Sequence, residues 1–296
     1  MSVKGRPDLK VRVRQGKVDL TQLAVQGSDR TLKASPATKD PSEALLRLLK
    51  SPLPVGVLPL SFFAGYDLKS DKGFSLSIAL QTAIEDAQVK APGAGGEHRI
   101  DLAGMVLNTE GETVTSFAAA LAVPPADASS GPRERIYSGA LPMKPGLYQV
   151  RIAVRDSWTG RSASAIQWLD VPGLSESRIV LGSAFLAETS GAARPDIFDG
   201  NSISIRRRFR PSSQVSYFLH VYDLERKPLV YQTRLYRSNS IVSESGFQPL
   251  ASPDAAAMVT GRLPLESLPP GGYTLEITVK DSSRSPVAQQ VRFWIE

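Results

Sequence analysis

Cysteine is missing from this 296-residue chain, and histidine nearly so, with only His98 and His220. The first absence excludes disulfide frameworks, thiol nucleophiles, cysteine-ligated zinc and iron–sulfur clusters; the second leaves imidazole chemistry with two candidates. No run approaches the ~18 apolar residues that a membrane-spanning helix needs. The N-terminus, Met1 to Asp8, carries charge without the apolar stretch of an export signal. Motifs of the Gly-x-Ser-x-Gly, GxGxxG, HExxH and Walker types are missing as well. A cysteine-free chain fits a reducing cytosol and equally a bacterial envelope protein that folds without disulfides.

What is present is a folding composition. Hydrophobic residues make up 42% of the chain, enough to bury a core. The length accommodates two domains of ~100–200 residues each. Residues 9–14, Leu-Lys-Val-Arg-Val-Arg, alternate like a strand with no evident partner upstream, which suggests a fragment of a longer chain.

The most informative feature is internal. Pro145-Gly146-Leu147-Tyr148-Gln149-Val150-Arg151-Ile152-Ala153-Val154-Arg155-Asp156-Ser157 matches Pro270-Gly271-Gly272-Tyr273-Thr274-Leu275-Glu276-Ile277-Thr278-Val279-Lys280-Asp281-Ser282 in residue type, at an offset of 125. At the same offset Ile166 and Trp168 meet Val291 and Phe293, which places Trp168 in the core. Each copy reads as a Pro-Gly turn, a half-buried strand, a polar turn and a returning strand, so one domain occurs twice. Phe74 to Leu80, Gly104 to Leu107 and Val215 to Val221 are further short strands between turn signals, the spacing of a β-sandwich.

Helical signal is confined to one place. Asp40-Pro41-Ser42-Glu43 caps the apolar face of Ala44-Leu45-Leu46-Arg47-Leu48-Leu49, predicting about ten helical residues that stop at Ser51-Pro52 and pack on the first sandwich or plug its edge. Pro172-Gly173 separates the two copies, and the stretches 91–96, 124–132 and 189–202 read as loops.

The chemical candidates are few. His220 is out of phase with Val215, Tyr217, Leu219 and Val221, so it reads as a solvent-facing strand residue rather than a general base beside Asp223. Asp281-Ser282-Ser283-Arg284-Ser285 has the letters of a metal-adhesion motif, but a second strand follows where a helix should open, and a polar hairpin turn is the better reading. Lysine and arginine outnumber aspartate and glutamate by 35 to 29, and the surplus concentrates in Lys10, Arg12 and Arg14 on one strand face and in the run Arg206, Arg207, Arg208 and Arg210. Such charge serves a solvated or interdomain face, an anionic glycan or, less readily, nucleic acid. Trp158 at a hairpin tip is the best single candidate for an exposed contact, although it can tuck under a neighbouring loop, and Trp294 falls on the face opposite the core, where it can seal an interface.

Tyr137-Ser138-Gly139, the run from Pro145 to Asp156, Thr159-Gly160-Arg161-Ser162-Ala163-Ser164 and Val171-Pro172-Gly173-Leu174 together resemble the C-terminal β-sandwich region of bacterial von Willebrand factor A-related proteins of the Acidobacteria type. The resemblance implies an A-type domain upstream that ends in a strand like Leu9 to Arg14, two sandwich modules, and a secreted or envelope-associated protein. It carries no metal ligand onto any residue of this chain.

The resulting expectation is an all-β chain of two tandem immunoglobulin-like or fibronectin-like sandwiches with one short helix near the N-terminus. Residues 1–39 form an N-terminal strand and linker, 40–173 the helix and first sandwich, and 174–296 the second. The expected role is non-catalytic and cofactor-free: a structural spacer and protein- or glycan-contact module. The alternatives are a carbohydrate-active module using loop carboxylates and exposed aromatics, and a binder of anionic polymer or nucleic acid.

Overall fold

The computed structural model describes residues 2–3, 6–10, 43–68, 73–84, 97–123, 133–173, 179–188, 204–223, 227–250, 256–281 and 285–296. The helix cap at Asp40-Pro41, the loops 91–96, 124–132 and 189–202, and positions 282–284 of the metal-adhesion-like motif lie outside them. At the N-terminus β1 (Ser2–Val3) pairs antiparallel with β2 (Arg6–Lys10). The strand expected at 9–14 therefore begins earlier and has a partner upstream, because the chain folds back on itself within its first ten residues.

The helix α1 (Glu43–Lys50) presents Leu45 and Leu49 on one side. Both are buried against Ala103, Met105 and Ala153. Glu43 and Arg47 pair one turn apart at 2.6 Å on the exposed side. At the C-terminal end, where helical carbonyls run out of partners, Arg151 donates from Nη1 to the carbonyls of Leu49 (2.8 Å) and Ser51 (3.1 Å).

The first sandwich is built from β3 (Leu60–Leu68), β4 (Phe74–Ile84), β5 (Arg99–Leu107), β6 (Thr113–Ala122), β7 (Arg133–Met143), β8 (Gly146–Asp156) and β9 (Ser162–Val171). They form a three-stranded sheet, β3-β4-β7, and a four-stranded sheet, β6-β5-β8-β9. The period-2 residues Val150, Ile152 and Val154 share one core with Ile100 and Leu102 of the neighbouring strand β5 and with Leu76 and Leu80 of the other sheet.

The second sandwich contains β10 (Ile179–Leu181), β11 (Phe185–Glu188), β12 (Arg208–Phe209), β13 (Val215–Asp223), β14 (Leu229–Arg237), β15 (Ser240–Glu244), β16 (Gln248–Leu250), β17 (Ala256–Leu263), β18 (Gly271–Lys280) and β19 (Val287–Ile295). One sheet has β13 between β17 and the pair β10 and β11; the other runs β12-β19-β18-β14-β15, with β16 also on β14. Matching β4 to β13, β5 to β14, β8 to β18 and β9 to β19 superposes the two strand orders. Corresponding tyrosines close the same corner in both: the hydroxyl of Tyr148 donates to the carbonyl of Lys144 (3.0 Å), and that of Tyr273 to the carbonyl of Pro269 (2.6 Å). Between each pair sits a glycine in the positive-φ region, Gly146 at 148° and Gly271 at 143°, where a side chain would be strained.

The returning strands do not follow the linear offset. Tyr148 pairs with Leu169 but Tyr273 pairs with Phe293, so the second hairpin is one residue tighter. Because strand side chains alternate, that single residue exchanges faces. Leu169, not Trp168, is the buried counterpart of Phe293, and Trp168 stands 57% exposed on the outer face. The core placement expected for Trp168 is corrected accordingly.

The two sandwiches meet through the three-stranded sheet of the first and the four-stranded β10-β11-β13-β17 sheet of the second. Phe63, Ala79 and Ile136 on the outer face of β3-β4-β7 pack against Phe185, Ala187 and Phe218 of β11 and β13, with Ile205 at the margin. Phe185 bridges Phe63 and Phe218, its ring centroid 5.1 and 5.2 Å from theirs. Aromatic contacts of this kind contribute ~0.5–1.5 kcal/mol each beyond the area they bury. β4 and β13 are consequently buried on both faces.

Candidate functional site

Polar residues reinforce this junction. Asp67, 6% exposed, accepts hydrogen bonds from Nδ1 of His220 (2.6 Å) and from the backbone N–H of Leu68 (3.0 Å). The Tyr222 hydroxyl, with one proton to give, lies 2.7 Å from both the Asp67 carboxylate and the Leu68 carbonyl. Burial, the bond to Asp67 and the charge of Asp67 all push the Tyr222 phenol upward. Alongside, Ser183 donates its N–H to the carbonyl of Tyr66 (2.8 Å) and accepts the Tyr66 N–H at its hydroxyl (2.9 Å). Tyr66 is pushed up to about 12, chiefly by burial. His220 therefore faces the first sandwich rather than solvent. It is out of phase with its own core, as the sequence pattern has it, but that second face is covered too.

His98 is also buried, at 4% exposure. Its Nε2 lies 3.0 Å from Oδ1 of Asp156, and its ring stacks on Trp158 at 4.1 Å and 8°. Burial pushes the Asp156 carboxyl up, but N–H donors from Trp158 and Thr159, with His98, outweigh it and leave the group below its ordinary value. Trp158, at the hairpin tip, is half-buried by this stack. The two histidines belong to separate structural clusters. Among the described residues no three of His, Asp and Glu are grouped so as to hold a metal ion.

The arginine run is divided by the backbone. Arg207 has φ of 50°, unusual for a side-chain-bearing residue, and turns its guanidinium onto the Phe63 ring, 4.7 Å from the centroid. Its carbonyl accepts from the N–H of Trp294 (2.8 Å), and burial lowers its pKa to about 10. Arg206 and Arg208 remain exposed. β12 runs parallel to β19, with Arg208 beside Trp294, and the guanidinium of Arg208 lies 6.0 Å from the indole centroid. Arg292 shares the outer face of β19 with Trp294, two residues away.

These residues line an open groove of about 420 Å³ between the sandwiches, with Ser61 and Phe62 of β3 on the opposite wall. Trp294 is 47% exposed. Its indole lies over Gly272, where a Cβ would come within 3.1 Å of the ring, so the absent side chain lets the ring lie flat across β18. Arg210, exposed on the turn after β12, is not among the groove residues, and its N–H bonds to the hydroxyl of Ser213 (3.2 Å). Lys10 ends β2, while Arg12 and Arg14 lie outside the described residues.

Sequence reasoning missed Arg292 and the Asp67–His220–Tyr222 cluster. Arg292 carried a usable signal, since it shares the phase of Trp294 on a strand whose other face is core. Asp67 carried none, because its partners lie about 150 residues away.

No family model matches the sequence, and no curated protein matches it. Among solved structures, a biofilm-associated protein's BSP domain is similar over 84% of this chain, at 9% identity and a TM-score of 0.26. The chain spans about half (54%) of that structure's length. The all-β sandwich architecture stands on the strand pairing itself. No helix among the described residues is long and apolar enough to cross a membrane.

Proposed function

We propose that the chain is a non-catalytic, two-sandwich spacer and contact module of a secreted or envelope-associated bacterial protein, and that it corresponds to the sandwich region which follows an A-type domain in von Willebrand factor A-related proteins. The observation that carries this reading is the junction. Sandwiches strung on a flexible linker would keep polar outer faces, whereas here Phe63, Phe185 and Phe218 and the buried Asp67–His220–Tyr222 cluster join the two sheets into one unit. A joined pair holds a fixed distance and presents one continuous surface, which is what a spacer with a contact site requires.

Backbone ¹⁵N relaxation measures the joining directly. The expected result is one rotational correlation time shared by β3–β9 and β10–β19. Two separate times, each that of a single sandwich, would overturn the spacer reading.

A further inference from the structure

We infer that the groove between the sandwiches binds an acidic polysaccharide, one uronate carboxylate per bound segment held by arginine forks and one sugar ring stacked on Trp294. The inference deepens the contact-module reading and rests on it. Three exposed guanidinium groups, those of Arg206, Arg208 and Arg292, line the same groove as the half-exposed indole. Guanidinium groups recognise carboxylates through paired, charge-assisted N–H donors. A flat indole beside them suits the apolar face of a pyranose ring. The volume of about 420 Å³ falls within the ~300–1,000 Å³ range of small-ligand sites.

Two features favour a sugar acid over a nucleic acid. A strand of bases needs successive stacking platforms along a basic track. Here Phe293, next to Trp294, is buried at 4% exposure and faces the core, so the outer face of β19 offers a single ring. The groove's other wall adds no free platform, because Phe62 of β3 is half-buried and packs against the first sandwich's core. Arg207 is the most buried of the run, its guanidinium stacked on Phe63, and it fixes the loop that carries its neighbours.

Calorimetric titration of the whole chain with tetragalacturonate, neutral tetragalactose and oligo-dT at low and at physiological salt tests the assignment. Tetragalacturonate is expected to bind, more weakly as salt rises, with tetragalactose at least ~10-fold weaker. Trp294→Ala and Arg292→Ala are each expected to weaken binding roughly 10-fold, equivalent to about 1.4 kcal/mol. Arg292→Lys, which keeps the charge and loses the fork, should recover only part of it. Both substituted positions are exposed, and unchanged thermal unfolding of each variant separates a binding defect from a folding one. Equal affinity for the neutral sugar, tighter binding of oligo-dT, or no binding of tetragalacturonate would each overturn the inference, while a shared correlation time would leave the spacer reading standing.

Discussion

In the first sandwich the outer face of the four-stranded sheet carries Ala103, Met105 and Ala153, and a helix lies on them. The same register positions in the second sandwich carry Gln232, Arg234 and Thr278. Among the described residues no helix covers them; instead Gln232 donates to the Glu244 carboxylate and the Ser245 carbonyl, both at 2.9 Å, and Arg234 reaches Glu244 at 2.7 Å. The sheet edges differ in the same manner. The edge of β9 is covered by the uncharged segment 55–57, with Gly56 bridging Ala163, whereas the edge of β19 is covered by the arginine-bearing β12. The inward residues of the two units are interchangeable in kind. Their outward residues decide what leans on each sheet, so the arginines and the indole of the groove come from the second sandwich, while the first supplies only the Ser61 and Phe62 wall.

The largest expected effect removes the surface on which the two units meet. Phe218→Ala takes a fully packed ring from the centre of the junction and should cost about 3–5 kcal/mol in urea unfolding. A single cooperative transition should also separate into two, since each sandwich keeps its own core. A variant that unfolds in one step with the wild-type midpoint would mean that the aromatic cluster does not join them.

A smaller effect distinguishes the two outer faces. Leu49→Ala opens the contact between α1 and β5–β8 and should cost about 2–3 kcal/mol, at the lower end for buried leucine because the helix lies outside the sandwich core. The counterpart change Gln232→Ala should cost on the order of 1 kcal/mol, the net worth of the hydrogen bonds it removes. Equal losses would show that the helix contributes no more than the polar strap does.

The sequence made the inward residues legible because burial imposes a period that can be counted. Tyr148, Val150, Ile152 and Val154, and Tyr273, Leu275, Ile277 and Val279, alternate visibly, and the Pro-Gly corners mark where each strand begins. Trp168 was misread because a fixed offset cannot register a hairpin one residue tighter, and in a strand one residue reverses every face. His220 was misread for a different reason. Periodicity distinguishes a strand's two faces, but it does not tell solvent from a second protein layer. Phe218 and Tyr222 on that same face were the available hint, since apolar rings on both sides of a strand imply burial on both sides. The groove was half legible: the arginine run is local in sequence, but Arg292 joins it only through the parallel pairing of β12 with β19.

The smallest effect separates the two hairpin ends by pH. Asp156 is held below its ordinary value by the N–H donors of Trp158 and Thr159 and by His98, against the opposing effect of burial. A carboxyl whose folded value is depressed adds stability that is present above its unfolded value of about 3.9 and is lost as pH falls through the folded value. Acid should therefore loosen the first sandwich's hairpin in the window below about pH 4, with the Trp158 indole resonance reporting locally because that ring stacks on His98. Asp156→Asn keeps an acceptor for the turn but removes the titrating charge, so its unfolding free energy should vary less with pH in that window than the wild type's. Identical slopes would mean that the turn is held by its backbone alone, and the buried His98 would then stabilise the hairpin through stacking rather than through the carboxylate.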